Sequence, residues 1–151
     1  MSARHSFTVK DVCAALDGVS RSRVHGWVQL PPFCAIPSQE RSARRFSRAD
    51  LLTFAVLRTL EDQFGARGTA LARASAGIHA YLSAPQPARM DEWLFVPLAA
   101  GPARPVLGPA IAEAGWVIDL VRERDRIDGY LGILPPQREL PLIGGLGRAG
   151  P

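Results

Sequence analysis

A chain of 151 residues has the size of one ordinary domain or of two very small ones, so it can bury a hydrophobic core without disulfides or metal ions. Its hydrophobic fraction of 47% and charged fraction of 21% are close to globular averages. No run of about 18 apolar residues occurs, and residues 1–5 lack the apolar stretch of a secretory signal, so we expect a cytoplasmic protein without a membrane partner.

The positive charge is concentrated in the first third of the chain. Residues 1–50 carry eight basic and four acidic side chains, whereas residues 51–151 carry ten of each. The formal net charge of +4 therefore lies entirely at the N-terminal end. This asymmetry is typical of a domain that binds a polyanion, although charge alone does not identify the polyanion.

Two short helices are predicted near the N-terminus. Over residues 7–16 apolar side chains recur at helical spacing, and Thr8 with Asp11 forms a capping-box pattern. Ser20 is a favourable N-cap for a second helix, and the apolar positions of that helix share one face: Val24, Trp27 and Val28. Residues 17–19 connect the pair, which gives a helix-turn-helix pattern.

Residues 30–45 contain three prolines and many polar side chains, which predicts a loop or a small β-hairpin. Ser47 and Asp50 then repeat the capping-box pattern, and a strongly apolar helix is predicted over residues 51–64, ending at Gly65. A fourth helix is predicted over residues 69–82, with one apolar side formed by Leu71, Ala74, Ile78, Tyr81 and Leu82.

The C-terminal half has a different composition. Residues 92–98 and 116–120 are short aromatic and β-branched runs, which predict two strands joined by a long Pro/Gly-rich connection. A helix is predicted from Asp119 through Tyr130, with its alternating arginine and acidic side chains solvated. Its inward side chains are predicted to be Leu120, Ile127, Tyr130 and Leu131.

The predicted fold class is α+β. We expect an N-terminal helical winged helix-turn-helix over residues 1–66 and a helix followed by a small strand-strand-helix extension over residues 67–133. Residues 83–91 are predicted to form a linker, and residues 134–151 a flexible tail.

The first turn of the second helix holds candidate DNA-binding residues. It reads Ser20-Arg21-Ser22-Arg23, with His25 on the next turn. Two arginines there are unfavourable by roughly a few tenths of a kcal/mol each, because a helix N-terminus carries partial positive charge. In a helix-turn-helix this turn faces the major groove, where Arg pairs with guanine edges. The alternative is that these are ordinary surface arginines.

A second basic group, formed by Arg41, Arg44 and Arg45, precedes the third capped helix. On a wing, such side chains lie along the phosphate backbone or enter the minor groove. The alternative is a solvated charge run in a loop. Trp27 and Phe46 are expected to be core residues that fix the second helix and the wing, rather than groups that stack on bases.

These segments resemble the MerR-type winged helix-turn-helix over residues 1–66. The matching pieces are Phe7-Thr8-Val9, Gly18-Val19-Ser20, Trp27 and Arg44-Arg45-Phe46-Ser47-Arg48-Ala49-Asp50-Leu51. The resemblance implies that Arg44 contacts the DNA backbone and that the recognition face carries Arg21, Ser22, Arg23 and His25. Thr8 and Lys10, at the first helix, complete the predicted DNA-binding set.

The sequence also departs from that family. It has His25-Gly26-Trp27 where an arginine followed by two aromatic residues is usual, and Ser42-Ala43 where the wing usually has glycine and tyrosine. The long dimerising coiled coil and the cysteines of metal-sensing members are missing. The resemblance is therefore to compact members of prophages and small regulators, and it does not imply a small-molecule effector.

No pattern indicates an enzyme, a metal site or a cofactor. The potential metal ligands are scattered rather than clustered: Cys13, Cys34, His5, His25 and His79. We expect both cysteines to be reduced. No nucleophile lies in a recognisable pattern with its base. Residues 145–150 match the dinucleotide fingerprint, but only Pro151 follows, so no helix N-terminus is available for a pyrophosphate.

The sequence thus predicts a sequence-specific regulator of transcription that binds double-stranded DNA at an operator and acts as a homodimer. Candidate dimer surfaces are the apolar strands around Trp93, Phe95, Trp116 and Ile118, which can equally be ordinary core. One alternative is an architectural helix-turn-helix protein, such as one of phage DNA packaging or excision. Another is a module whose basic face binds an acidic protein.

Overall fold

The computed structural model describes residues 6–35, 44–85, 92–106 and 112–133. In these ranges the chain forms five α-helices: α1 (Val9–Ala15), α2 (Arg21–Val28), α3 (Arg48–Phe64), α4 (Thr69–Ser83) and α5 (Leu120–Leu131). A short 3-10 helix lies at Phe33–Ala35, and three strands are present: β1 (Trp93–Pro97), β2 (Arg104–Pro105) and β3 (Gly115–Asp119). The α+β class predicted from the sequence is confirmed.

Both predicted capping boxes are present. In α1 the Thr8 hydroxyl accepts a hydrogen bond from the Asp11 backbone N–H (3.3 Å), and the Asp11 carboxylate accepts one from the Thr8 N–H (2.8 Å). Ser47 and Asp50 form the same pair of bonds at α3. Because two backbone donors are satisfied locally, these helix starts are fixed before any long-range packing.

The connection between α1 and α2 depends on left-handed backbone geometry. Asp17 has a φ of 56° and Gly18 a φ of 80°, so the chain reverses within a few residues. Ser20 then caps α2, because its hydroxyl accepts a hydrogen bond from the Arg23 N–H (3.2 Å). The predicted two-helix arrangement is confirmed at the level of its helices and turn.

Helix α3 lies at the centre of the molecule and has nine buried residues. Around Phe54 three aromatic rings converge, with centroids 5.8 Å away for Trp27, 4.7 Å for Phe33 and 5.3 Å for Phe46. Such pairs contribute about 0.5–1.5 kcal/mol each beyond simple burial. The prediction that Trp27 and Phe46 are core residues is confirmed.

The three strands form an antiparallel sheet in the order β2-β1-β3, in which Leu94 lies opposite Ile118. The two strands predicted from the sequence are confirmed, and β2 is an addition. It escaped the pattern because it has only two residues, of which Pro105 has no N–H to donate. On the outer face, the guanidinium of Arg104 covers the Phe95 ring at 4.6 Å from its centroid.

Two expectations for α5 are wrong. Tyr130 is 41% exposed, and its hydroxyl donates to the Asp11 carboxylate (3.3 Å) instead of entering the core. Glu123, expected to be solvated, is only 3% exposed. The reason is that α5 packs against both α3 and α1, so its buried face passes through Leu120, Glu123 and Ile127. Leu120 and Ile127 are buried as expected.

One hydrophobic core runs through the described residues. It joins side chains of the first three helices to Ile78 of α4, Leu94 of β1 and Ile127 of α5, and it therefore crosses the predicted boundary at residue 66. Most of the predicted linker, residues 86–91, and the whole predicted tail, residues 134–151, lie outside the described residues. Within the described ranges no helix has the length and apolar character needed to cross a membrane.

Gly115 and Gly129 provide a matched pair of substitutions. A Cβ added at Gly115 would lie 2.5 Å from Cζ of Phe95, so we expect Gly115→Ala to lower the free energy of unfolding by about 1–3 kcal/mol. Gly129 lies inside α5, and a Cβ added there has no neighbour within 4 Å. Gly129→Ala should therefore raise the free energy of unfolding by about 0.5–1 kcal/mol. Urea unfolding measures both, and the opposite order would contradict the packing.

The burial of Glu123 predicts a pH dependence. Burial raises the pKa of Glu123, although the Thr59 hydroxyl and nearby arginines oppose the shift. Because the pKa of Glu123 is higher in the folded than in the unfolded protein, this group contributes its full stability at a pH below the unfolded-state pKa. That contribution is lost as the pH rises through the folded-state pKa. Because Gln does not titrate, Glu123→Gln should gain stability relative to the parent as the pH rises from 4.5. Urea unfolding at several pH values tests this, and an opposite slope would contradict it.

Candidate nucleic-acid interface

Helix α2 presents one buried and one exposed face. Its buried residues are Val24, Trp27 and Val28, which pack on the aromatic cluster around Phe54. The opposite face is exposed and polar, and it carries Arg21, Ser22, His25 and Gln29. Ser20, at the cap, is also exposed. The structure therefore places four of the predicted site residues, Ser20, Arg21, Ser22 and His25, on one accessible side of a short helix.

Arg23 points elsewhere. Its guanidinium forms ion pairs with Asp62 (2.5 Å) and Glu61 (3.4 Å) at the C-terminal end of α3, and it lies 5.2 Å from the centroid of the Trp27 ring. The Trp27 indole N–H donates to the same Glu61 carboxylate. Arg23 is thus half-buried and tied to α3, apart from the other predicted residues of α2.

A two-residue bridge connects the start of α1 to the segment before α3. The backbone of Phe7 both donates to and accepts from that of Phe46, with N···O distances of 2.8 Å. In an antiparallel bridge the next residue of one segment lies beside the preceding residue of the other. Thr8 is therefore next to Arg45, so the start of α1 lies beside the described end of the predicted wing.

The predicted wing residues differ in what they contact. Arg44 is half-buried, donates to the Phe33 carbonyl and lies 5.8 Å from the centroid of the Phe46 ring. Arg45 is exposed. The Thr8 backbone hydrogen bond holds the pKa of Asp11 below its ordinary value, and the charge of Arg45 adds to this effect. Arg41 lies outside the described residues, as do residues 36–43 of the predicted loop or hairpin.

The two predicted residues of α1 also differ. The Thr8 hydroxyl donates to the Asp11 carboxylate (2.9 Å) in addition to capping the helix, so it is already engaged. Lys10 is exposed on the first turn of α1.

Most arginines of the other helices are neutralised by carboxylates. Their closest pairs are Arg48 with Asp128 at 2.6 Å, Arg58 with Asp17 at 3.2 Å, Arg124 with Glu92 at 3.1 Å and Arg126 with Glu123 at 3.5 Å. Within the described ranges, Lys10, Arg21 and Arg45 form no ion pair. The un-neutralised positive charge thus recurs on the part of the chain that was predicted to bind DNA.

Three other exposed arginines, Arg67, Arg73 and Arg122, also form no ion pair among the described residues. They lie on three different parts of the fold, namely the connection after α3, α4 and α5. Arg73 serves below as a control for the predicted DNA-binding residues.

The remaining candidate ligands do not form a site in the described part of the chain. His79 Nε2 lies 2.8 Å from the Asp50 carboxylate and links α4 to the start of α3. Cys13 is partly buried and Cys34 exposed, and both are free thiols. Among the described residues no group of three His, Cys, Asp or Glu side chains can hold a metal ion.

Two site residues were missed by the sequence analysis. Glu61 and Asp62 lie at the end of α3 and are the partners of Arg23, 38 and 39 positions away along the chain. Their only local signal is a pair of acidic residues near a helix C-terminus, where negative charge is unfavourable by about 0.3–1 kcal/mol. Arg23 at the start of α2 is the opposite misfit, and its ion pairs with Glu61 and Asp62 account for both.

Comparisons of the chain with protein-family models, with curated proteins and with solved structures found no match. The functional interpretation therefore rests on the placement of side chains. The features that carry it are the exposed polar face of α2, the basic side chains near the start of α1 that form no ion pair among the described residues, and the engagement of Arg23.

The ion pair of Arg23 predicts a measurable coupling. The hydrogen bond from Arg23 lowers the pKa of Asp62, so its contribution to stability is present above the ordinary pKa of 3.8 and is lost as the pH falls through the folded value. At pH 7 a double-mutant cycle with Arg23→Ala and Asp62→Ala should give a coupling of about 0.2–1 kcal/mol, because the pair is partly exposed. Urea unfolding provides the four stabilities, and a coupling of zero would contradict the pairing.

Proposed function

We propose that this chain is a sequence-specific regulator of transcription that binds double-stranded DNA through a winged helix-turn-helix of the MerR type. The observation that carries the proposal is the exposed face of α2, where Arg21, Ser22 and His25 project together from a helix whose other face is fixed in the core. A helix anchored in this way can enter the major groove with these side chains toward the base edges.

The basic side chains near the start of α1 also support double-stranded DNA as the partner. Lys10 and Arg45 are exposed near the start of α1 and form no ion pair with any described residue, and Arg44 precedes Arg45. Side chains in this position contact phosphates on either side of the groove, and each neutralised phosphate releases counterions. Binding should therefore weaken steeply with salt. No chemical step and no cofactor form part of the proposal.

Arg23 has a conditional role in this proposal. Its partly exposed ion pair is worth about 0–1 kcal/mol, whereas a bidentate contact to guanine discriminates by about 1–3 kcal/mol. DNA can therefore outcompete Asp62 for the guanidinium at a matching site. On other DNA sequences Arg23 stays paired with the carboxylates of α3. The sequence preference of the protein then depends on Arg21, Ser22 and His25.

The second candidate is an architectural DNA-binding protein with loose sequence preference. The engagement of Arg23 favours it, because an eight-residue α2 without Arg23 offers few side chains for base readout. The two candidates share the same interface and differ in how strongly binding depends on sequence.

Selection from a pool of random duplexes, followed by sequencing at two salt concentrations, separates these functions. A regulator should enrich a short palindrome, with affinity that falls as salt rises. An architectural protein should retain DNA without a consensus. If no DNA is retained at low salt, both proposals fail, and an acidic protein becomes the expected partner of the basic face.

Arg21→Ala tests the interface itself. We expect this variant to lose about 1–3 kcal/mol of discrimination at the selected site because it removes a base-reading side chain. Arg73→Ala is the matched control, since it removes the same charge from an exposed position on α4 that forms no ion pair within the described ranges. Binding titrations with the selected and a scrambled duplex measure both. Equal effects of the two substitutions would contradict the assignment of α2.

A further inference from the structure

Strand β3 has one edge with which no described strand pairs. The sheet order is β2-β1-β3, so β3 pairs with β1 on one side only. In the described ranges, no backbone hydrogen bond outside the sheet involves its residues 115–119. An edge strand of this kind exposes N–H and C=O groups that are free to pair with another strand.

The register shows which backbone groups are free. The Leu98 N–H donates to the Ala114 carbonyl (3.1 Å). At the other end of the ladder, the Leu120 N–H donates to the Glu92 carbonyl (2.9 Å). Hydrogen-bonded pairs alternate in an antiparallel ladder, so the even-numbered residues of β3 direct their backbone groups to β1. The groups that point to the free edge are those of Gly115, Val117 and Asp119.

Exposed apolar side chains flank this edge. Phe64 is 46% exposed, Trp93 47% and Val117 38%, and all three line a groove of about 280 Å³. Phe95 and Ile118, two of the candidate dimer residues predicted from the sequence, are each 2% exposed: Ile118 lies in the core, and Phe95 is covered by Arg104 on the outer face of the sheet. Any contact made here therefore involves the edge of the sheet and the groove beside it.

We propose that the edge of β3 pairs with β3 of a second copy of this chain, antiparallel and with the twofold axis at Val117. This inference deepens the proposed function and rests on it. A twofold dimer would present two copies of α2 to a palindromic DNA site. The interface would be formed by the strand backbone and completed by the apolar groove.

The strand is complementary to itself in this register. Val117 pairs with Val117 of the partner subunit, and its outward N–H and C=O are both used. Gly115 lies opposite Asp119 of the partner subunit, so the carboxylate that caps α5 meets a residue without a side chain. All three free positions become hydrogen-bonded pairs at once, which a shift of the register by one residue would not achieve.

The charges near the two ends of the strand favour the same orientation. Glu113 precedes β3, and its carboxylate is 44% exposed although it pairs with Arg104 (2.7 Å). Arg122 follows β3 and is exposed. Antiparallel pairing places the start of one strand beside the end of the other, so these opposite charges approach each other across the axis. A parallel arrangement would place like charges together.

The oligomeric state of the full chain without DNA tests this inference. Sedimentation velocity over about 1 to 100 µM should show a concentration-dependent dimer. Val117→Pro removes an N–H that points to the free edge and leaves the β1–β3 ladder intact, so dimerisation should weaken by roughly 10- to 100-fold. Val117→Thr keeps the N–H and the β-branched shape, and it should leave the dimer unchanged. Circular dichroism and melting curves confirm that each variant is folded.

A second variant keeps the test decisive if proline disturbs the fold. Val117→Lys retains the backbone and places two like charges on the axis, so it should also weaken the dimer. Conversely, Val117→Cys should form an intermolecular disulfide on mild oxidation, because paired Cα atoms in this register are about 5.5 Å apart. The parent protein and Ala80→Cys, at an exposed position of α4, are controls for Cys13 and Cys34.

The outcomes separate this inference from the proposed function. A monomer at all concentrations overturns the inference, as does a dimer that folded Val117→Pro and Val117→Lys variants leave intact, because another surface would then hold the copies together. A monomer that binds DNA overturns the inference alone. A dimer through β3 that binds no DNA supports the inference and overturns the proposed function.

Discussion

The packing of aromatic rings around Phe54 is the constraint on which the rest of the structure depends. Trp27 brings α2 to α3, Phe33 brings the 3-10 helix, and Phe46 fixes the start of α3 through its bridge to Phe7. These elements are separated along the chain but meet at a single buried ring. Because one face of α2 packs against this cluster, the polar face of the helix is exposed to solvent. The candidate interface is therefore a direct consequence of how the core is packed.

Charge pairing distinguishes two sets of basic side chains. On α3 and α5, most arginines lie within a few ångströms of carboxylates, and their pairs link distant segments such as Arg48 to Asp128. Near the start of α1 and on the outer face of α2, Lys10, Arg21 and Arg45 have no such partner among the described residues. Surface ion pairs add little to stability, so their importance here is the separation of neutralised from available positive charge.

The β-sheet and α5 share one hydrophobic core with α1, α2 and α3. Ile127 and Leu120 of α5 are buried with the residues of α3, and the buried Glu123 accepts a hydrogen bond from Thr59 of α3. Any association through the edge of β3 would consequently be transmitted to the position of α2 through packed helices. A dimer formed at the sheet would hold its two α2 helices in a fixed relation, as the proposed binding to a palindrome requires.

The sequence by itself determined the features that depend on neighbouring residues. Thr8 with Asp11 and Ser47 with Asp50 mark where α1 and α3 begin, and the spacing of Val24, Trp27 and Val28 identifies the buried face of α2, because caps and helix faces are set within one or two turns. Only the tertiary structure decided which charges are engaged. Arg23 is held by Asp62, Glu123 is buried beside Thr59, and the two-residue β2 exists because β1 is there to pair with it. These contacts join residues far apart along the chain, and no local pattern of charge or hydrophobicity records a partner that only folding brings near.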